Sequence, residues 1–173
     1  MHIGLEEYRA IKRISKRDAD YDTFRREALV LKELRHPGIP MIYDLEEDSE
    51  FFYLIEEYLE GYSLYALIAN QGPIQEAEAV RYGMQVCGLV AYMHSACELP
   101  ILHLDLQPNN LIICNGTVKL IDFDHAAGCR WANIAPKRFG TVGCAAPEQY
   151  ASDRMLDQRT DIYACLLYTS PSP

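Results

Sequence analysis

Residues 103–122 hold the most chemically informative sequence of this chain, HLDLQPNNLIICNGTVKLID. Within it, the apolar runs LII and VKLI flank an Asn-Gly pair at residues 115–116. An Asn-Gly pair between two β-rich runs is a strong signal for a two-residue hairpin turn. We therefore expect a hairpin that returns Asp122 to the neighbourhood of Asp105 and Asn110.

The same stretch offers oxygen ligands for a cation and a candidate base. Mg²⁺ is commonly held by one or two carboxylates together with substrate phosphates, and Asn110 with Asp122 provides such a partial set of ligands. Pro108 excludes an ordinary helix, so we expect Asp105 on a loop, where a side chain can be directed at a substrate. The alternative is an Asx-rich turn joined to a hairpin, because Asp and Asn are common turn residues.

Several motifs resemble those of eukaryotic-type Ser/Thr protein kinases, including the bacterial ones. The residues HLDLQPNN resemble the catalytic loop H-R-D-x-K-P-x-N, and residues 122–124, Asp-Phe-Asp, resemble D-F-G. Residues 140–148, GTVGCAAPE, are similar to the end of a kinase activation segment. Asp161 stands where the family has the Asp that anchors the catalytic loop backbone. The resemblance implies an α+β, bilobal fold with a small β-rich N-lobe and a helical C-lobe.

The front of the chain resembles part of a kinase N-lobe. Residues 10–12, Ala-Ile-Lys, resemble the V-A-I-K strand, which implies that Lys12 holds the α- and β-phosphates of ATP. Apolar residues at three- and four-residue spacing predict a helix over residues 18–35. The family pairs a Glu of this helix with the strand Lys, which implies a pair between Glu27 and Lys12. Taken without the resemblance, Lys12 is a solvated charge and Glu27 a surface residue.

Residues 57–61, EYLEG, resemble the kinase hinge, where adenine binds to the backbone. The resemblance implies that Glu57 and Leu59 bind adenine. It also assigns Glu56 to the gatekeeper position, which is usually apolar or Thr. A carboxylate at that position must find a partner or face solvent.

The resemblance implies ATP and Mg²⁺ as cofactors and a protein as the substrate. Positioning and charge neutralisation then carry the rate, and Asp105 accepts the proton of a substrate Ser or Thr hydroxyl. The implied catalytic residues are Asp105, Lys12, Glu27, Asn110 and Asp122. The implied cofactor-binding residues are Lys12, Glu57, Leu59, Asn110 and Asp122, of which Asn110 and Asp122 are the metal ligands. The implied substrate-binding residues are Thr141 and Gln107.

Three departures from the family pattern leave other functions open. Gln107 replaces the Lys that contacts the γ-phosphate, Leu104 replaces the Arg that can bind an activation-segment phosphate, and Asp124 replaces Gly and restricts the backbone. These changes allow a pseudokinase, a nucleotide-binding scaffold with little transfer. A small-molecule phosphotransferase of the same superfold, such as an aminoglycoside or choline kinase, is a further alternative. The segment GTVGCAAPE argues against it, because a small substrate needs no peptide-docking strip.

The motifs predict an organisation in which the kinase domain is truncated at both ends. Residues 1–60 are expected to form a partial N-lobe that lacks the glycine-rich loop, since only Gly4 precedes the strand lysine. Residues 61–164 are expected to form a partial C-lobe. Residues 165–173, CLLYTSPSP, resemble a translated sequencing-adapter end, and we expect them to lie outside the fold.

The amino-acid composition restricts the kinds of partner that this chain can bind. A formal net charge of −9 and a pI near 5.0 argue against a nucleic-acid surface, which requires a basic stripe. No apolar run approaches the ~20 residues of a membrane span. The six cysteines form no C-x-x-C pair and follow no signal peptide, which indicates reduced thiols and makes a zinc site unfavourable. We therefore expect a cytoplasmic segment, with any membrane anchor outside it, and leave its oligomeric state open.

Periodicity predicts the remaining elements. Strands are expected over residues 39–45 and 51–59. Ser63 is expected to cap a short helix to about Asn70, which residues 71–73, Gln-Gly-Pro, break. The longest periodic stretch, residues 75–96, predicts a core helix. Its expected apolar face comprises Ala79, Tyr82, Val86, Leu89, Val90 and Met93. The stretch after Asp124 is expected to be a long loop.

Overall fold

The computed structural model describes residues 7–17, 21–128, 140–151 and 154–169. The first half is an antiparallel sheet covered by one helix. The sheet contains β1 (Arg9–Ser15), β2 (Ile42–Glu47) and β3 (Phe51–Glu57) in the order β1-β3-β2, and the helix is α1 (Tyr21–Glu33). The strand of the Lys12 motif is therefore confirmed, and Lys12 lies in its middle, opposite Leu54.

The apolar stripe of α1 closes one face of this sheet. Phe24, Ala28 and Leu31 are buried, as the helical spacing predicts. The ring of Phe24 stacks on that of Phe52 from β3, with centroids 4.9 Å apart. Leu54, on the same face of β3 as Phe52, is fully buried. The packing fixes α1 against β3, the neighbour of the strand that carries Lys12.

The second strand begins later than the sequence predicts. It spans Ile42–Glu47 and not residues 39–45, and its pairing with β3 shifts between Ile42 and Asp44. Ile39 is part of a turn in which its N–H donates to the carbonyl of His36 at 2.9 Å. Pro40 has no N–H to donate to a strand partner, so regular pairing starts only after it.

The second half of the chain is built around helices and a hairpin. Its elements are β4 (Tyr62–Ser63), α2 (Leu64–Gln71), α3 (Glu76–Ser95), β5 (Ile101–Leu102), a 3₁₀ turn (Pro108–Asn110), β6 (Leu111–Cys114), β7 (Thr117–Leu120), β8 (Ala127–Gly128), a second 3₁₀ turn (Pro147–Tyr150) and α4 (Gln158–Thr169). The cap of α2 is confirmed, because Ser63 Oγ accepts a hydrogen bond from the N–H of Ala66 at 3.1 Å.

The hairpin that follows the catalytic motif is confirmed. β6 and β7 pair from Leu111 with Leu120 to Cys114 with Thr117. Asn115 and Gly116 both have positive φ, 49° and 79°, which is the backbone of a type I′ turn. The short pair of β8 with β5 lies inside the stretch expected to be a loop. Residues 129–139 of that stretch lie outside the described residues.

The long helix α3 is buried along one side, as predicted, except at its start. Tyr82, Val86 and Met93 are buried, together with Leu89 and Val90. Ala79 is exposed, contrary to the prediction, and lines an open apolar cavity of about 240 Å³ between α2 and α3. The first turn of α3 extends beyond the elements that cover its later turns.

One continuous apolar core joins both halves. It includes Phe24 and Leu54 from the first half and Met93, Leu111 and Phe123 from the second. The division at residue 60 remains a prediction. α4 continues to Thr169 and buries Cys165, so the helix does not end at the boundary predicted after residue 164. Within the described ranges, no helix is long and apolar enough to cross a membrane.

The buried side of α3 generates a stability prediction. Replacing Met93, which is 0% exposed, by Ala should lower the free energy of unfolding by about 2–5 kcal/mol, because the cavity cannot fully collapse. Met84→Ala on the same helix is the matched control. Met84 is 72% exposed, and its substitution should change stability by less than about 0.5 kcal/mol. Urea unfolding measures both, and equal losses would contradict the described packing of α3.

Candidate active site

An ion triad centred on Lys12 connects the sheet, α1 and the hairpin. The ammonium of Lys12 donates to both carboxylate oxygens of Glu27, at 3.0 and 3.1 Å, and to Oδ1 of Asp122 at 2.7 Å. Glu27 is 3% exposed, so its carboxylate depends on Lys12 for a partner. The pair between Glu27 and Lys12 that the motifs implied is thus present in the structure.

The two carboxylates of the triad stabilise the charge of Lys12. Burial by itself would lower the pKa of Lys12, but the carboxylates of Glu27 and Asp122 outweigh it and hold this pKa well above its ordinary value. Burial raises the pKa of Glu27, and Lys12 opposes this effect. Lys12 therefore stays a cation at any physiological pH.

The Asp105 carboxylate is held by three neutral donors. Its Oδ2 accepts hydrogen bonds from the amide of Gln107 at 2.8 Å and from that of Asn110 at 2.9 Å. Its Oδ1 accepts one from the hydroxyl of Thr141 at 2.8 Å. The structure thus brings Thr141, from the distant activation segment, into one site with Asp105, Gln107 and Asn110 of the catalytic loop.

The loop that carries Asp105 is held in a strained backbone conformation. Leu104 has a φ of 67° and Asp122 a φ of 66°, values that L residues rarely adopt. The carboxylate of Asp161 accepts the N–H of His103 at 3.0 Å and that of Leu104 at 2.9 Å. Asp161 is 1% exposed, and its contacts compensate the strain in the residue before Asp105. Leu104 itself is buried in a small apolar cluster with Leu102, Ala127 and Leu156.

His103 supports the loop as a neutral ring. It is fully buried, and burial lowers its pKa. Its Nδ1 accepts the N–H of Asp105 at 3.3 Å, which leaves Nε2–H to donate to the carbonyl of Ile121 at 3.2 Å. The ring also meets that of Phe123 edge-on, with centroids 4.8 Å apart. His103 therefore joins the catalytic loop to the Asp122 segment.

Two supporting residues were missed by sequence reasoning. Nε2 of His94, on α3, lies 2.9 Å from Oδ2 of Asp161. Gln149 is 5% exposed and donates to the carbonyl of Leu104 at 2.7 Å, while accepting the N–H of Ala146 at 3.0 Å. A polar residue beside the apolar stripe of α3 was a signal for His94. Sequence offers none for the contact of Gln149 with Leu104, because Leu104 comes from a distant segment.

The oxygen atoms left over near Asp122 fit a magnesium ion. Asn110 uses its amide nitrogen on Asp105, so its Oδ1 remains for a ligand, and Asp122 uses only Oδ1 on Lys12. Oδ1 of Asp124 is buried with no hydrogen-bond partner among the described residues. No group of three His, Cys, Asp or Glu side chains in the described ranges could hold a metal alone. This donor set is consistent with a cation that takes some of its ligands from the protein and the others from substrate phosphates.

Asp124 causes no strain where the family has Gly. In the described part of the chain, the non-Gly residues with positive φ are Leu104, Asn115 and Asp122. The expected restriction of the backbone at Asp124 therefore has no consequence for this conformation, because the position requires no glycine.

The hinge residues take separate positions. The N–H of Glu57 donates to the carbonyl of Met41 at 2.9 Å, and its carboxylate pairs with Lys119 of β7 at 3.1 Å. The Glu57 side chain is thus outside the Lys12 triad, and its N–H is already bonded, so the predicted role falls to its backbone carbonyl. Leu59 is half-buried just after β3.

Comparison with known proteins identifies the class of this fold and site. The family model described as "Protein kinase domain" matches residues 1–170. The chain therefore belongs to the protein kinase domain family, which confirms the expected α+β kinase fold.

Several curated relatives are similar to this chain. It is 35% identical over 144 residues to serine/threonine-protein kinase PrkC of Bacillus subtilis, which covers 82% of this chain and 22% of that protein. It is 33% identical over 161 residues to a probable serine/threonine-protein kinase KIN1 homolog of Enterocytozoon bieneusi, a match that covers 91% of this chain and 27% of that protein. It is 34% identical over 166 residues to an Aurora kinase of Eremothecium gossypii, a match that covers 90% of this chain and 42% of that protein. The chain thus spans less than half the length of each of these relatives.

Glu56 generates a prediction about pH. Burial raises its pKa to about 7, above the ordinary 4.5, with a further contribution from Glu27. The folded state therefore binds this proton more tightly, so the associated stability is complete below about pH 4.5 and is lost as pH rises through about 7. Each tenfold change in proton affinity is worth ~1.4 kcal/mol, so Glu56→Gln should gain up to about 3 kcal/mol relative to wild type across this range.

Urea unfolding of the wild type and of Glu56→Gln between pH 4 and pH 8 measures this difference. A stability difference that stays constant with pH would show that Glu56 does not titrate in this window. Glu46→Gln, at an exposed position of β2, is the control for the effect of the substitution itself.

Proposed function

We propose that this protein is an ATP-dependent protein kinase that transfers the γ-phosphate of ATP to Ser or Thr hydroxyls of protein substrates. The observation that carries the proposal is the cleft itself. Lys12 is bonded to Glu27 and Asp122, and Asp105 is oriented on the adjacent loop by Asn110. Family membership supports the same activity. Phosphoryl transfer depends mainly on positioning and on charge neutralisation, which these groups can supply.

Each residue has a defined role in this proposal. Lys12 binds the α- and β-phosphates of ATP, and the backbone of Glu57 and Leu59 binds the adenine. Asn110 and Asp122 would hold Mg²⁺, which neutralises charge on the phosphates when it is bound. Asp105 orients the substrate hydroxyl and accepts its proton.

Thr141 and Gln107 are proposed to contact the substrate next to Asp105. Both already donate hydrogen bonds to the Asp105 carboxylate, at 2.8 Å each, so they lie within reach of a hydroxyl bound there. Gln107 supplies no positive charge, and it can still orient the base. We infer that its replacement of Lys reduces phosphate binding without dismantling the site.

A cytoplasmic location remains a prediction.

The role of Asp105 gives the first functional prediction. Asp105→Asn should reduce phosphate transfer by about 100-fold or more, because the amide cannot accept the hydroxyl proton. Binding of ATP with Mg²⁺ should persist, since Asp105 acts on the acceptor. Transfer from radiolabelled ATP to casein measures the first quantity, and titration with a fluorescent ATP analogue measures the second.

Lys12→Met is the contrasting variant, because it should weaken nucleotide positioning itself. Equal transfer by wild type and Asp105→Asn would remove Asp105 from the role of base. Unchanged transfer in Lys12→Met would contradict the phosphate-binding assignment.

Leu104 gives a prediction about regulation. It offers no cation beside Asp105, and its side chain is 3% exposed, so it cannot bind a phosphate on the activation segment. Phosphatase treatment should therefore leave transfer to casein within about two-fold of the untreated protein. A large loss would show that another cation binds such a phosphate, for which Arg130 and Arg138 are candidates outside the described residues.

A further inference from the structure

Asp124 has a buried oxygen that no described residue satisfies. Its Oδ1 accepts no hydrogen bond within the described ranges. Nε2 of the neighbouring His125 lies 3.8 Å from this oxygen, which is beyond hydrogen-bond distance. The Asp124 side chain as a whole is 41% exposed. One oxygen is thus withdrawn from water without a partner, while the side chain remains open to a ligand that enters from solvent.

The backbone holds this carboxylate next to the proposed metal ligands without strain. Asp124 is not among the described non-Gly residues with positive φ, so its position does not require the Gly that the family has there. Phe123, the preceding residue, is 1% exposed and packs edge-on against His103. The Asp124 carboxylate is therefore an addition to an anchored segment, two residues after Asp122.

Asp124 adds negative charge to a cleft in which one ammonium already serves two carboxylates. Its charge interacts with those of Lys12 and Glu27, which is consistent with a position beside the ion triad. The three N–H donors of Lys12 serve the two oxygens of Glu27 and Oδ1 of Asp122. Three carboxylates less one ammonium leave two negative charges, which one divalent cation would balance.

The other oxygens that remain for a ligand favour a cation over a phosphate. Asn110 donates through its amide nitrogen and Asp122 accepts from Lys12 through Oδ1, so each has a second oxygen to offer. Hard divalent cations take oxygen ligands of these kinds. A phosphate would be repelled by Asp124 unless a cation lay between them. Asp124 thus favours a nucleotide that arrives together with its metal.

We propose that Asp124 supplies a third protein oxygen to the divalent cation that Asn110 and Asp122 would hold. The inference rests on the proposed function, because it requires a nucleotide and its cation in this cleft. A Gly at this position has no side chain to offer, so the additional ligand is a property of this chain. Its consequence is that nucleotide binding depends more strongly on the cation, since Asp124 attracts metal-bound phosphates and repels free ones.

The test measures how nucleotide binding depends on the cation, without any turnover. A fluorescent, non-hydrolysable ATP analogue is titrated onto the full chain in EDTA and at a series of Mg²⁺ concentrations. Asp124→Asn should raise the Mg²⁺ concentration needed for half-maximal binding by at least about 10-fold, a loss typical of groups that support a bound metal. In EDTA the same variant should bind the analogue at least as tightly as wild type, because a carboxylate that repels free phosphates is gone.

This pattern separates a cation ligand from a structural residue, whose loss would weaken binding under both conditions. Asp44→Asn, at an exposed position of β2, is the matched control and should change neither value. Circular dichroism checks the fold, and Asp124→Gly carries the test if Asp124→Asn does not fold. An unchanged Mg²⁺ requirement, or weaker binding in EDTA as well, would overturn the role of Asp124. Absence of Mg²⁺-dependent nucleotide binding by the wild type would instead overturn the proposed function.

Discussion

The interaction on which the site depends is the contact of Lys12 with two carboxylates from different parts of the chain. Glu27 comes from α1 and Asp122 from the end of the hairpin, so one ammonium joins the sheet, the helix and the catalytic loop region. Glu27 is almost completely buried and its carboxylate is held by Lys12, so moving α1 away would break this ion pair. The position of α1 and the arrangement of charges in the cleft therefore depend on the same contact.

A second set of buried contacts holds the loop of Asp105 in a conformation it would not adopt alone. Leu104 and Asp122 have left-handed backbone conformations. The carboxylate of Asp161 accepts hydrogen bonds from the N–H groups of His103 and Leu104. The side-chain amide of Gln149 donates a hydrogen bond to the carbonyl of Leu104. Asp105, the proposed base, is thus positioned by elements far from it in sequence, which is the preorganisation that general base catalysis requires.

Sequence reasoning predicted the parts of the fold that depend on local chemistry. The hairpin turn at Asn115, the cap at Ser63 and the stripe of α1 each follow from a residue type at a fixed spacing. It placed the second strand too early because a single Pro interrupted an apolar run, and it misjudged Ala79 because burial depends on neighbours that periodicity does not reveal. Gln149 and His94 were missed for the same reason, since their partners meet them only through tertiary packing.

The bond between Lys12 and Asp122 has a consequence for how the cleft takes up a charged ligand. Lys12 uses all of its donors on carboxylates, so a phosphate can bind it only by sharing or displacing one of these contacts. Glu27 is too deeply buried to release its partner cheaply, whereas the Asp122 side chain is 36% exposed and has a second oxygen free. Asp122 is therefore the group that yields, and a cation bound there would offset the ammonium it gives up.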